Sequence, residues 1–103
     1  RFHCALAERA AEWIAAEPGW ELLAPVTMSV VCFRHRPTGV ADEAALERHN
    51  AAILERVNAS GRVFLSHTKL DGRYTLRIAI GNLRTEERHV AEAWRLLREA
   101  SQA

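Results

Sequence analysis

A chain of 103 residues, 49% of them hydrophobic and 26% charged, has the length and balance of one ordinary globular domain. A net charge of +1 excludes a surface built to hold nucleic-acid phosphates, so no nucleic-acid partner is expected. Two cysteines, Cys4 and Cys32, exclude a disulfide scaffold and read as thiols of a reducing, cytoplasmic compartment. No apolar run approaches the roughly 18 residues of a membrane span, so no membrane partner is expected either.

Residues 1–17 place Phe2, Leu6, Ala10, Trp13 and Ile14 at helical spacing, with charged residues between them, and Pro18-Gly19 ends the helix. The chain opens on Arg1 inside this helical pattern, without an initiator methionine, which predicts a piece of something longer. Trp20 to Ala24 reads as a short edge strand stopped by Pro25. Val26 to His35 is dense in β-branched and aromatic residues with apolar groups on both faces: Met28, Val30 and Cys32 on one, Val31 and Phe33 on the other.

Asp42 is a natural N-cap for a helix running to about Asn58, with Leu46, His49, Ile53 and Val57 inward and Gly61 as a left-handed stop. The stretch from Arg62 to Thr85 reads as a β-hairpin. Its Asp71-Gly72 turn suits a type I′ geometry, in which both central residues need positive φ. Setting Leu70 opposite Arg73 pairs Ser66 with Arg77, His67 with Leu76, Thr68 with Thr75, Phe64 with Ala79, Leu65 with Ile78 and Val63 with Ile80. Thr85 then caps a last helix whose buried stripe is Val90, Ala93, Trp94 and Leu97.

The order α-β-β-α-β-β-α predicts an α+β two-layer sandwich, a small mostly antiparallel sheet with helices on one face. The helices need the face bearing Val63, Leu65, Leu76, Ile78 and Ile80. The reverse face (Phe64, Ser66, Thr68, Thr75, Arg77, Ala79) lacks the charged run of a solvated sheet. It suits burial against another body: another domain, a second subunit or a ligand. Left alone, the chain is therefore expected to self-associate.

Arg77 is the sharpest candidate on that face, because a guanidinium matches a carboxylate bidentately; a structural salt bridge or a solvated side chain is the alternative. No metal site is expected. Cys32 and His35 point to opposite faces of a strand, and neither they nor His3-Cys4 have a second pair at zinc spacing. His67 near the turn reads as a hydrogen-bonded structural histidine, and His49 and His89 as residues at the core margin. Ser29, Ser60, Ser66 and Ser101 lack a nucleophile context, and Lys69, the sole lysine, lies two residues from the hairpin tip, where an amine stays solvated. No catalytic residue is expected in this segment.

The stretch Val31–Gly39, the hairpin with its Leu76, Arg77, Ile80, Asn82 and Thr85 pattern, and a following helix with Trp94 resemble the carboxy-terminal small domain of the pyridoxal-phosphate-dependent group II amino-acid decarboxylases. The aromatic-L-amino-acid and tyrosine decarboxylase branch is the most similar. The resemblance covers residues 1–103 as one small domain. It implies a homodimeric parent enzyme with the active site at domain and subunit interfaces, and a large amino-terminal catalytic domain that carries the cofactor lysine. The implied chemistry is loss of the α-carboxylate of an amino-acid substrate, with the cofactor ring as electron sink. The small domain would shape and close the pocket, inactive alone, and Arg77 would meet a substrate carboxylate or a domain interface. A free-standing α+β module that binds a small acidic ligand, or only dimerises, is the alternative.

Overall fold

The computed structural model describes residues 2–26, 30–79 and 87–102, with side chains from Ala5 onward. Three helices and four strands follow one another as α1 (Phe2–Ala16), β1 (Trp20–Leu22), β2 (Val30–His35), α2 (Glu43–Ala59), β3 (Ser66–Leu70), β4 (Arg73–Ala79) and α3 (Glu87–Gln102). The strands form one antiparallel sheet in the order β1-β2-β4-β3. This is the expected α+β sandwich.

Local chemistry explains the boundaries. The β3–β4 turn places Asp71 at φ 53° and Gly72 at φ 77°, the left-handed pair a type I′ turn demands. The register is the predicted one from Leu70 opposite Arg73 to Ser66 opposite Arg77. Asp42 caps α2, its Oδ2 accepting from the Ala45 N–H at 3.0 Å, and Gly61 follows the helix at φ 74°. Strand β1 stops at Leu22, two residues before the expected end, although the Leu23 N–H still donates to Cys32.

Val31, Phe33, Leu76 and Ile78 share one sheet face and are buried there with Leu6, Ile14, Ile53, Val57, Val90 and Leu97 from the three helices. Three expected core assignments shift, and the first is His89, which is exposed and not at the core margin. In α2 the fully buried residue is Asn50, and His49 beside it is half-buried. In α3 Ala100 completes the stripe and Trp94 is half-buried, its ring edge-on to Trp20 at 5.1 Å. His67 shares the parity of Leu76 but lies beyond the helices; it is exposed and stacks on Tyr74 at 4.9 Å. Met28, Ser29, Ile80, Asn82 and Thr85, and the side chains of His3 and Cys4, lie outside the described residues.

Candidate functional site

The helices pack on one side of the sheet, and the other side carries the candidate site. Its central row is Cys32 on β2, Arg77 on β4 and Ser66 on β3, successive partners in the two ladders. The next row holds Val30 and Ala79, and Phe64, just ahead of β3, is 71% exposed. Cys32 and Arg77 are half-buried, and Ser66 and Ala79 are exposed. Among the described residues no carboxylate or hydrogen-bond acceptor engages the Arg77 guanidinium. A long aromatic and an uncommitted cation on an otherwise small-residue surface are the usual anchors of an interface.

A second arginine on this side was not singled out from the sequence. Arg34 alternates with Phe33 along β2, so it points away from the helices, yet its side chain is only 5% exposed. Its Nε donates to Glu21 Oε1 at 2.8 Å, and its Nη1 donates to Glu43 Oε1 at 3.0 Å. Arg36 adds a bond to the other Glu21 oxygen at 3.3 Å. Burial pushes the Glu21 carboxyl up, but the hydrogen bonds and positive charges of Arg34 and Arg36 outweigh it and hold the carboxyl below its usual value. Burial likewise opposes the Arg34 charge, and Glu21 and Glu43 more than offset that. The available signal was a lone charge inside the dense apolar run of β2, which demands a partner.

Arg34 and Arg77 therefore play opposite parts. The first is spent on fastening β1 and the start of α2 to β2. The second has no such partner among the described residues.

Comparison with known proteins identifies the setting. No family model matches the chain. Tryptophan decarboxylase TDC2 of Camptotheca acuminata is 42% identical over 92 residues, 89% of this chain and 18% of that protein. Phenylacetaldehyde synthase of Arabidopsis thaliana is 39% identical over 99 residues, 96% of this chain and 20% of that protein. The crystal structure of Oryza sativa TDC with PLP and tryptamine superposes with a TM-score of 0.93 at 30% identity, over 99% of this chain and 22% of that one. The chain is a segment of the pyridoxal-phosphate-dependent amino-acid decarboxylase family. It spans about a fifth of the length of the relatives it matches.

This decarboxylase segment does not itself fit the cofactor. A lysine that holds a carbonyl cofactor is desolvated or set beside another cation. Lys69 is 59% exposed on the edge strand β3 and pairs with Glu47 of α2 at 3.4 Å. Among the described residues no cluster of three or more metal-ligating side chains occurs. The Arg77 face lies on the side of the sheet away from the helices.

Proposed function

We propose that this chain is the carboxy-terminal small domain of a pyridoxal-phosphate-dependent L-amino-acid decarboxylase, a carboxy-lyase of the cytoplasm that works as a homodimer. The cofactor and its lysine belong to the amino-terminal catalytic domain, and this segment is inactive without it. Its task is to cover the substrate pocket from one side and exclude water. The observation that carries this reading is the uncommitted Arg77 at the centre of an open sheet face, in a segment one-fifth the length of its decarboxylase relatives.

A guanidinium on a half-buried strand, flanked by Cys32 and Ser66, can take a carboxylate through two parallel hydrogen bonds. Docking would strengthen that bond by removing water around it. The carboxylate is that of the amino-acid substrate, or of an acidic residue on the neighbouring domain or subunit that shapes the pocket.

The natural full-length protein should show the visible absorbance of bound cofactor and release carbon dioxide from an aromatic L-amino acid. Arg77→Ala in that protein should raise KM or lower kcat at least tenfold with the cofactor absorbance retained. Unchanged kcat and KM would remove Arg77 from the pocket, and a full-length protein without cofactor absorbance would remove the decarboxylase reading.

A further inference from the structure

His35 and His49 are in direct contact, and the function proposed above uses neither. His35 ends β2 on the helix side of the sheet, and its Nδ1 lies 2.8 Å from Nε2 of His49 on α2. The two rings are 5.0 Å apart between centroids. The His35 ring also lies 4.6 Å from Trp20 of β1, and a Cβ at Gly19 would sit 3.2 Å from its Nε2. The His35 backbone is clasped by Asn50: its N–H donates to Asn50 Oδ1 and its C=O accepts from Asn50 Nδ2, both at 2.9 Å. Three elements therefore meet at one imidazole.

Two imidazoles joined nitrogen to nitrogen share a single proton. In the neutral pair one ring donates and the other accepts; with one added proton the cationic ring donates to the neutral one. A second added proton sets two N–H groups against each other at 2.8 Å, and the contact must open. The surroundings offer that second proton little help. From α2 the charges acting are His49 on His35 and Arg56 on His49. From β1 comes Trp20, which carries no charge. The β2–β4 register, continued by two residues, brings Tyr74 into the row of His35. Tyr74 remains a neutral phenol, since burial and the nearby Glu47 and Glu55 push its ionisation up. From α3, Trp94 backs Trp20, with Arg98 over its ring at 5.4 Å.

We propose that His35 and His49 form a proton-controlled latch between β2 and the N-terminal half of α2, closed while one ring stays neutral and released when both are cationic. Release pulls on the Asn50 clasp and on Glu43, whose carboxylate holds Arg34. Residues 43–50 therefore loosen first. Burial lowers the proton affinity of both rings, with His49 opposing charge on His35 and Arg56 opposing it on His49. The open state accordingly binds protons more readily. Closure holds above the ordinary imidazole range near pH 6.5 and weakens as pH falls through the lower folded values. The latch is independent of the decarboxylase reading.

Hydrogen exchange read by mass spectrometry on the natural full-length protein tests it, after correction for the intrinsic pH dependence of exchange. Protection of residues 43–50 should fall at least tenfold between pH 7.5 and 5.5, while residues 90–100 of α3 change less than twofold. His49→Gln keeps a hydrogen-bonding group toward His35 but cannot charge, and it should flatten that pH profile; His35→Gln serves the same purpose if the first variant does not fold. Protection that is independent of pH in the wild type, or that falls equally in the glutamine variant, would overturn the latch.

Discussion

Arg34 shows how one side chain can fix three elements. It takes its charge into a nearly buried place because two carboxylates, Glu21 from β1 and Glu43 from α2, meet it there. Arg34→Ala leaves those carboxylates crowded near the sheet but still partly hydrated, so unfolding free energy should fall by roughly 2–3 kcal/mol, as judged by denaturant titration. The pH dependence carries a distinct signature. Because Glu21 is held below its usual value of 4.5, the folded state binds its proton later than the unfolded state does. Stability from the pair is thus complete above about pH 4.5 and is lost as pH falls through the lower folded value. Arg34→Ala should shrink that part of the acid-unfolding curve to what Arg36 still supports, and an unchanged curve would show that Glu21 is not held by Arg34. Residues such as Arg34, Asn50 and the His35–His49 pair were the least legible in the sequence. Each is defined by a partner 13 to 15 residues away that only the completed fold brings near.

At the scale of elements the sequence was far more informative, because the signals are local. Asp71-Gly72 specified the turn, and the turn specified the β3–β4 register. Asp42 and Gly61 bracketed α2 to within a residue. Period-two alternation placed Arg77 opposite Ser66 and on the side away from the helices. It assigned His67 to the helix-facing parity yet could not say how far the helices reach, so that residue proved exposed. Helical spacing put His49 in the inward stripe of α2; it sits half-buried at the core margin, and its neighbour Asn50 is the residue fully buried there. Asn50 takes the buried place because its amide satisfies both backbone groups of His35, which an apolar side chain could not do. The dependence on turn chemistry is direct to test: Gly72→Val forces a β-branched residue to φ near 77° and should cost about 1–2 kcal/mol of stability by thermal or denaturant unfolding. No loss of stability would mean that the register is set by the strands and not by the turn.

The whole molecule is two-sided. One sheet face is closed by three helices around Phe33, Leu76 and Ile53, each fully buried, and the other presents Phe64 and Arg77 to whatever lies beyond. Among the described residues the helices pack on the first face; on the second, Thr75, expected to lie open, is fully buried together with Arg34, while Phe64, Ser66 and Ala79 are exposed. The matched relatives are about five times longer than this chain. Sequence patterning made the two-sidedness legible, because alternation along each strand assigns every side chain to one face.

The most direct measurement is the alkylation rate of a thiol placed on the open face. In the natural full-length protein with Cys32→Ser, Ser66→Cys puts a thiol beside Arg77 at a site that is exposed in the isolated fold. Its alkylation is read by mass spectrometry on the peptide carrying residue 66, native against urea-unfolded. If this face presses on the remainder of the enzyme, native alkylation should be slower by about a hundredfold or more. Rates within threefold of each other would mean that the face stays wet, and the claim that it is an interface would fail.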